Sequence, residues 1–379
     1  MKFLLSLVFV CCAALSFSQT RINVKMEVDS VEREFIVVKP SGDAPLGGYP
    51  VVFMFHGTSG DGQTFYNISG WKEKGETEKF ITVFPSSLRW CFIEDSIEKQ
   101  NTKWVNGDLM EILCPGQNIK DDVKFFRMMV DTIKSSLSVD ASRIYVTGFS
   151  NGGVMAAKLA VEASDIIAAT ASTSGGMHPL DSAAPRRNIP TIFSFGTDDD
   201  RFYTAINKPY VPFNDSAIAY FARSVNRFIS VFGLSEEYTK DSTALSLRYR
   251  FNTLALTASW EFNFILLKGL THEYPNGTNY PLASADLLWA FFQQFTTPLS
   301  IKKSGEEIQS IYLRPNPATD YIIVDEDATV TLFSSTGAEV FTTKAIQDER
   351  IALPKLASGV YIATIETRSG MKTAKVVVQ

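Results

Sequence analysis

A serine between two glycines is the first feature of this sequence that could do chemistry. Ser150 lies in the run Gly148-Phe149-Ser150-Asn151-Gly152, after β-branched and aromatic residues and before a helix-forming stretch. A nucleophile elbow needs this pattern, because its serine occupies a strained turn where a Cβ two residues away would collide. The run therefore predicts a serine nucleophile between a strand and a helix. A glycine-rich turn without chemistry is the alternative.

A serine hydroxyl needs a general base, and the base needs an orienting acid. His272 follows a predicted strand and precedes the last predicted helix of its domain. Asp198, Asp199 and Asp200 follow another buried strand, where the chain order Ser…Asp…His would place the acid. A solvated acidic turn is the alternative for these aspartates. We predict His272 as the base and one of the three aspartates as the acid.

Two backbone amides are predicted to form an oxyanion hole. Thr58 lies in a glycine-rich loop after a buried strand, and Asn151 opens the helix that follows the serine. Free N–H groups at these places can face a developing negative charge. We interpret His56 as structural support for the loop, with its ring bonded to backbone, and His178 as a packed or mouth-lining residue.

The N-terminus has the pattern of a secretory signal peptide. Lys2 supplies the positive charge, residues 3–15 are apolar, and small residues precede a predicted cut ahead of Gln19. An uncut anchor is the alternative. No later apolar run is long enough to cross a bilayer, so we expect no stable membrane insertion. The net charge of −5 argues against nucleic-acid partners.

Export also determines how the cysteines are interpreted. Cys91 and Cys114 would be the two that remain after signal removal, and an oxidising compartment favours a disulfide between them. Two separate buried thiols are the alternative. Both lie in a stretch, residues 85–116, that reads as a long irregular loop. Trp90 and Trp104 in the same stretch are predicted to form an aromatic wall for a phenolic or sugar group, and core packing is equally compatible.

The order of the predicted elements indicates the fold class. Strands and helices alternate through the first three quarters of the chain, which is typical of a doubly wound α/β sheet. After residue 297 the composition becomes polar, and then short strands follow with no helix between them, as in a small β-sandwich. The predicted parts are a signal peptide (1–18), an α/β catalytic domain (19–297), a linker (298–310) and a C-terminal all-β domain (311–379). The last has no His or Cys, and we expect no catalysis there.

Residues 49–295 resemble the family of extracellular α/β-hydrolase esterases, which includes polyhydroxybutyrate depolymerases and feruloyl or acetylxylan esterases. The resemblance is carried by residues 55–58, by the helix start at 121–125 and by the run 139–153, which includes the elbow. It implies the α/β-hydrolase fold. It also implies that Asp199 is the acid, because the family's acid lies three residues after the glycine of a G-T-x-D turn.

The family places its base in a loop similar to residues 269–275, which implies His272. The sequence departs from the family pattern at three positions. Tyr274 stands where tryptophan is usual, Thr271 where glycine is common, and Phe195 where histidine precedes the acid turn. No member of the triad is lost. We assign Tyr274, with the two tryptophans, to substrate binding. The three departures leave the acyl-chain preference, and with it polyester degradation, open.

Residues 311–379 resemble the sorting domain that the type IX secretion system reads. The matching residues are those of the run 315–320, Gly337, the run 359–362 and the closing run 375–378. The resemblance implies passage across an outer membrane by that machinery, with secretion or surface attachment. A carbohydrate-binding sandwich is the alternative.

These observations predict a secreted serine carboxylic-ester hydrolase that needs no metal or cofactor. Its expected substrates are feruloyl or acetyl esters of plant polysaccharide, with polyhydroxyalkanoate depolymerase as the alternative. A peptidase with the same triad, a catalytically inactive surface protein that binds polysaccharide and a purely structural secreted protein are the rivals from other classes.

Overall fold

The computed structural model describes residues 18–205, 207–208, 210–253, 261–297, 313, 315, 317–324, 326–334, 338–367 and 370–379. The predicted signal peptide, apart from Ser18, and the predicted linker lie outside these residues. Contacts divide the chain into two compact units, Met1–Leu299 and Ser300–Gln379.

A ten-stranded mixed sheet forms the centre of the first unit. Its central strands are parallel, and antiparallel strands lie at both edges, in the order β1-β2-β4-β3-β7-β8-β9-β12-β11-β10. A small separate hairpin, β5–β6, lies outside the sheet. The strands are β1 Thr20–Val28, β2 Val31–Lys39, β3 Tyr49–Phe55, β4 Ile81–Pro85, β5 Arg89–Glu94, β6 Ile97–Thr102, β7 Val139–Phe149, β8 Ala169–Thr173, β9 Thr191–Gly196, β10 Leu234–Ser242, β11 Ser246–Thr253 and β12 Glu261–Leu267.

Helices cover both faces of this sheet. All seven residues of β3 are buried, as expected of a strand between two helical layers. Alternate side chains of β3 enter two apolar cores: Phe53 lies in the core shared with α4, α5 and α7, and Val52 in the core shared with α1, α2 and α8. The helices are α1 Gly62–Ile68, α2 Trp71–Glu78, α3 Gly107–Met110, α4 Asp122–Ser136, α5 Asn151–Glu162, α6 Asp200–Ala205, α7 Ala217–Phe232 and α8 Ser284–Phe292.

The predicted α/β class is confirmed, with two differences in detail. The edges of the sheet are antiparallel, because β1–β2 and β10–β11 are hairpins. The stretch 85–116, which we expected to be an irregular loop, contains β5, β6 and α3. Strand β5 buries only Trp90 and Phe92 and strand β6 buries none of its residues, so the apolar alternation is too short to indicate strands from the sequence.

The second unit is a small all-β domain around its own apolar core. Four strands of six to nine residues form an antiparallel sheet in the order β15-β14-β17-β18, and the two short strands β13 and β16 pair with each other. The strands are β13 Tyr321–Ile323, β14 Ala328–Phe333, β15 Glu339–Ala345, β16 Arg350–Ala352, β17 Gly359–Thr367 and β18 Gly370–Val378. Both sheets contribute to one core, which includes Ile322, Val330 and Ile365.

Among the described residues, no helix has the length and apolar character that a membrane span requires.

Candidate active site

Ser150 occupies a strained turn between β7 and α5. Its backbone has φ 53° and ψ −123°, which a residue with a side chain rarely adopts. A Cβ on Gly148 would lie 2.0 Å from the Gly152 carbonyl oxygen, and a Cβ on Gly152 would lie 2.3 Å from that of Phe55. Both glycines are therefore required by backbone that cannot move aside. The local geometry is that of a nucleophile elbow.

The structure brings Ser150, His272 and Asp199 together. The serine Oγ lies 3.0 Å from His272 Nε2, and His272 Nδ1 lies 2.9 and 3.0 Å from the two Asp199 carboxylate oxygens. Nδ1 donates to the carboxylate, which leaves Nε2 free to accept the serine proton. Asp199 is only 1% exposed, whereas Asp198 and Asp200 are exposed. Of the three candidate aspartates, Asp199 alone contacts the imidazole among the hydrogen bonds of the described residues.

Backbone hydrogen bonds join the loop that carries the acid to the loop that carries the base. The Thr197 amide donates to the Leu267 carbonyl oxygen at 2.9 Å, and the Asp198 amide donates to that of Leu270 at 3.1 Å. In return, the Gly269 amide donates to Thr197 Oγ1 at 2.7 Å. Because β9 and β12 are parallel neighbours, both loops leave the same edge of the sheet. These bonds then fix the distance between carboxylate and imidazole.

The loop after β3 lies directly against the elbow. A Cβ on Gly57 would lie 3.3 Å from Ser150 Cβ, so the next residue, Thr58, is held beside the serine. Thr58 and Asn151 both line the cleft that contains Ser150. Asn151 is the first residue of α5, and its amide therefore has no partner within the helix. The two predicted oxyanion donors thus lie at the same cleft.

The other two histidines have structural partners. His56 is fully buried; its Nδ1 donates to the Gly57 carbonyl oxygen at 2.7 Å, and its Nε2 accepts from the Ser87 amide at 3.0 Å. A neutral imidazole satisfies both bonds, and burial lowers the pKa of His56 to about 4. His178 lies 3.2 Å from a Glu111 carboxylate oxygen and is absent from the lining of the Ser150 cleft.

The Asn151 side chain is held by the segment after β6, a contact that the sequence did not reveal. Its Oδ1 accepts from the Trp104 amide at 2.6 Å, and its Nδ2 donates to Asn106 Oδ1 and to Asp108 Oδ2, each at 3.1 Å. Asn106 Nδ2 in turn donates to the Asn151 carbonyl oxygen at 3.0 Å. This clamp, made of Trp104, Asn106 and Asp108, fixes the start of α5 where the oxyanion amide lies.

A disulfide between Cys91 and Cys114 closes the segment that contains the clamp, with 5.4 Å between the Cα atoms. The Cys114 amide also donates to the Cys91 carbonyl oxygen at 3.1 Å. Among the described residues, the one group with metal-ligand spacing is Cys91, Glu98 and Cys114, and the disulfide already uses both of its sulfurs.

The three aromatic residues predicted to bind substrate, Trp90, Trp104 and Tyr274, do not line the cleft beside Ser150. Trp104 is fully buried and donates its indole N–H to the His56 carbonyl oxygen at 2.8 Å. Tyr274 is buried and its hydroxyl accepts from the Trp71 indole N–H at 2.8 Å. Trp90 is buried in a small separate apolar cluster. None of the three is among the residues that line the Ser150 cleft. Both tryptophans are packed in the interior, as in the alternative interpretation of the sequence, and Tyr274 is also a buried packing residue.

The cleft beside Ser150 has a volume of about 290 Å³. One part of its lining is aromatic, and Phe202 and Phe221 stack there with centroids 4.3 Å apart. Another part is charged. The lining residues are Thr58, Glu94, Lys103, Asp108, Ser150, Asn151, Val154, Ser174, Gly175, Phe193, Phe195, Arg201, Phe202, Phe221, Ser224 and His272. Sequence reasoning singled out Phe195 only as a departure from a family pattern, and it did not identify the other aromatic or the charged residues.

Comparisons with known proteins match two parts of the chain to protein families. Residues 40–213 match the phospholipase/carboxylesterase family, and residues 310–379 match the secretion system C-terminal sorting domain. The chain is 32% identical over 155 residues to poly(3-hydroxyalkanoate) depolymerase C of Paucimonas lemoignei, covering 39% of this chain and 33% of that protein. It is 27% identical over 172 residues to feruloyl esterase B of Piromyces equi, covering 44% of this chain and 29% of that protein.

Similarity also extends to a bifunctional acetylxylan esterase/xylanase of Neocallimastix patriciarum, at 24% identity over 179 residues, which are 47% of this chain and 23% of that protein. The chain thus spans about a third or less of the length of these curated relatives. Among solved structures, acetyl xylan esterase from Aspergillus awamori has a TM-score of 0.50 at 15% identity, covering 72% of this chain and 99% of that one, which supports the fold. The first unit thus has an α/β-hydrolase fold that is similar to the phospholipase/carboxylesterase family over residues 40–213, and residues 310–379 are similar to a secretion system C-terminal sorting domain.

Proposed function

We propose that this protein is a secreted serine carboxylic-ester hydrolase. The observation that carries the proposal is the continuous hydrogen-bond chain from Ser150 Oγ through His272 to the buried Asp199 carboxylate, at distances of 2.9–3.0 Å. These hydrogen-bonded side chains lie at an open cleft, on a fold whose family includes carboxylesterases. A carboxylate that orients an imidazole, which in turn accepts the proton of a serine hydroxyl, makes that weakly nucleophilic alcohol reactive.

In the proposed reaction, His272 Nε2 takes the Ser150 proton as the Oγ attacks the ester carbonyl carbon. The ionised Asp199 holds the imidazole in the required tautomer and stabilises the imidazolium. His272 then donates the proton to the leaving alcohol, and an acyl group remains on the serine. Water, activated by the same imidazole, releases the acid and restores the hydroxyl.

The negative charge that develops on the carbonyl oxygen would be held by the Thr58 and Asn151 amides. Such donors are typically worth about 10²–10³ in kcat each, because they are oriented before the reaction begins. The clamp on the Asn151 side chain supports this role, since it restricts movement at the start of α5. Backbone donors also leave the side chains of these residues free for other contacts.

The first test is hydrolysis of short p-nitrophenyl esters by the full chain and by Ser150→Ala. We expect kcat to fall by about 10³-fold or more in the variant, with the melting temperature little changed. Ser135→Ala is the matched control, because this serine is exposed on α4 and is absent from the lining of the Ser150 cleft. Equal rates in the wild type and Ser150→Ala would contradict the proposal.

Feruloyl or acetyl esters of plant polysaccharide are the proposed substrates. The aromatic part of the cleft, formed by Phe193, Phe195, Phe202 and Phe221, supports an acyl group that presents a flat apolar face. Feruloyl and acetylxylan esterases are among the similar proteins, which also favours this substrate class.

Polyhydroxyalkanoate is the second candidate substrate. The observation in its favour is the 32% identity to a poly(3-hydroxyalkanoate) depolymerase, which is higher than the identity to the feruloyl esterase. Methyl ferulate, acetylated xylan and polyhydroxybutyrate should be assayed side by side at equal enzyme concentration. Release of ferulate or acetate at the higher kcat/KM supports the polysaccharide esters, and faster release of hydroxybutyrate supports the polyester.

We also propose export by an N-terminal signal peptide and then by the type IX secretion machinery. The match of residues 310–379 to a secretion system sorting domain supports the second step. Mass spectrometry of the protein secreted by a host that has this machinery should find an N-terminus at Gln19. Retention of residues 1–18, or secretion that persists after deletion of residues 311–379, would contradict this route.

A further inference from the structure

Four charged side chains line the cleft beside Ser150, and three of them have an ion-pair partner. Lys103 Nζ lies 3.0 Å from Asp108 Oδ2, and Glu94 Oε2 lies 2.6 Å from Lys99 Nζ. Arg201 has no carboxylate within 4.0 Å among the described residues, and no hydrogen bond from its guanidinium is found there. Arg201 is therefore a cleft cation without a direct partner among the described residues, although its charge adds to the Lys99 hydrogen bond in lowering the pKa of the Glu94 carboxyl.

The backbone beside Arg201 is fixed to the proposed catalytic residues. The Arg201 amide donates to Asp199 Oδ1 at 3.2 Å, which places this residue at the start of α6 and next to the carboxylate that orients the base. The neighbouring Phe202 packs on Phe221 and Phe195, with centroids 4.3 and 5.0 Å apart. The backbone of Arg201 is thus held in place, and its exposed side chain is part of the lining of the cleft that contains the nucleophile.

An unpaired guanidinium in a substrate cleft is suited to one kind of ligand group. Its planar fork of N–H donors matches a carboxylate in a bidentate geometry, and it stays charged at every physiological pH. Neither cleft carboxylate forms an ion pair with it, because Glu94 and Asp108 each contact a lysine instead. A substrate that brings a carboxylate would complete the pairing.

We propose that Arg201 forms a carboxylate-recognition subsite, so that the cleft prefers esters with a free carboxylate close to the scissile bond. The substrate class is the ester that carries an acidic group on its acyl or its alcohol part, such as a half-ester of a dicarboxylic acid or an acylated hydroxy acid. This inference rests on the proposed ester hydrolysis, and it adds a determinant of specificity to that reaction.

The test compares each acidic ester with its uncharged carboxamide analogue. Monoethyl adipate and ethyl 5-carbamoylpentanoate form the pair with the charge on the acyl part. The pair 3-(butyryloxy)butanoate and 3-(butyryloxy)butanamide places it on the alcohol part. The rates are followed by pH-stat for the wild type, Arg201→Gln and Arg201→Lys. Arg186→Gln is the matched control, because it removes the same charge from a side chain that is 77% exposed and absent from the cleft lining.

The wild type and Arg186→Gln should prefer the carboxylate in at least one pair by about tenfold in kcat/KM, mainly through KM. Arg201→Gln should hydrolyse both members of that pair at about equal kcat/KM. Arg201→Lys should keep part of the preference, since it keeps the charge and loses the fork. Raising the salt from about 50 to about 500 mM should weaken the wild-type preference and leave the carboxamide rates unchanged.

The absence of a carboxylate preference in both pairs, or a preference that survives Arg201→Gln, would overturn the subsite. If no ester is hydrolysed at all, the proposed function fails instead. The subsite can then still be judged by calorimetric titration of the two acidic esters and their amides into Ser150→Ala. Tighter binding of the acid, lost in the Ser150→Ala/Arg201→Gln double variant, supports it, and equal binding of acid and amide rejects it.

Discussion

Replacement of Asn151 by alanine should destabilise the catalytic unit and slow the reaction, although the proposed oxyanion donor at this position is a backbone amide. The substitution removes the side chain that the clamp holds and leaves the amide in place. The expected loss therefore separates the contribution of positioning from that of the donor itself. The backbone carbonyl oxygen of residue 151 keeps its hydrogen bond from Asn106 Nδ2. The start of α5 therefore loses only part of its attachment to the clamp.

The size of the effect follows from which partners lose their bond. The Trp104 amide is buried and would have no acceptor, and an unpaired buried donor costs about 1–3 kcal/mol. Asn106 Oδ1 still accepts from the Leu109 amide at 3.2 Å. Asp108 is 41% exposed, so water can replace the lost bond there. The expected loss of unfolding free energy is therefore about 2 kcal/mol, nearly all of it from the unpaired Trp104 amide. This corresponds to a decrease of roughly 5 °C in melting temperature for a unit of this size.

Differential scanning calorimetry and p-nitrophenyl acetate kinetics measure the two consequences. We expect the melting temperature to fall by about 5 °C and kcat to fall about tenfold, with KM little changed. Asn226→Ala, an exposed position on α7, is the matched control and should alter neither. An Asn151→Ala protein that matches this control in both measurements would show that the clamp has no role in stability or catalysis.

Three further predictions concern the acid, the buried histidine and the disulfide. Asp199→Asn should lower kcat by about 10⁴-fold, because the imidazole loses its tautomer, whereas the exposed Asp198→Asn should change kcat less than about threefold in the same ester assay. The folded-state pKa of His56 is about 4, below its value of 6.5 when unfolded, so the stability it contributes is complete above pH 6.5 and is lost as the pH falls from 6.5 to 4. Urea unfolding of the wild type should show a loss of about 3 kcal/mol in unfolding free energy between pH 6.5 and 4. The His56→Gln variant should lack this loss, and an equally steep decrease in the variant would contradict the prediction. Cys91→Ala/Cys114→Ala should lose about 3 kcal/mol of stability, since the bond closes a loop with a sequence separation of 23; equal urea midpoints for the two proteins would exclude this.

Much of the fold could be predicted because its buried strands leave a clear pattern. The residues of β3 form a continuous apolar run, and the elbow has glycines that backbone contacts require, so both were located to within a residue or two. Asp29 and Ser30 are residues typical of turns, and both have positive φ in the tight turn between β1 and β2. Such signals are local and depend on few neighbours.

Other elements left no such pattern. Helix α2 buries only Trp71 and Gly75 of its eight residues, so it has no apolar stripe for periodicity to detect. The strands β5 and β6 pair with each other and are stabilised by a disulfide and by hydrogen bonds between Thr102 and the distant residues Ser59 and Gly60. These elements depend on tertiary contacts, and the sequence alone therefore did not indicate them.

The candidate site shows the same division. The spacing around Ser150 and the order of acid and base could be predicted, because they follow from chain direction at one edge of the sheet. The sequence does not show whether a tryptophan is exposed, so the role of Trp104 could not be predicted from it. The Trp104 indole is buried and donates to the His56 carbonyl oxygen. Pairing distances determine which charges in the cleft are satisfied, and Arg201 could not be recognised as unpaired without them.

Reaction with a fluorophosphonate ester followed by peptide mapping tests the central claim most directly. A serine activated by an adjacent imidazole should become phosphonylated, while the other serines of the chain should not react at a comparable rate. The account predicts one modified peptide, labelled at Ser150, with labelling abolished in Ser150→Ala and strongly slowed in His272→Ala. A wild-type protein that remains unlabelled, or labelling that proceeds at the same rate without His272, would contradict it.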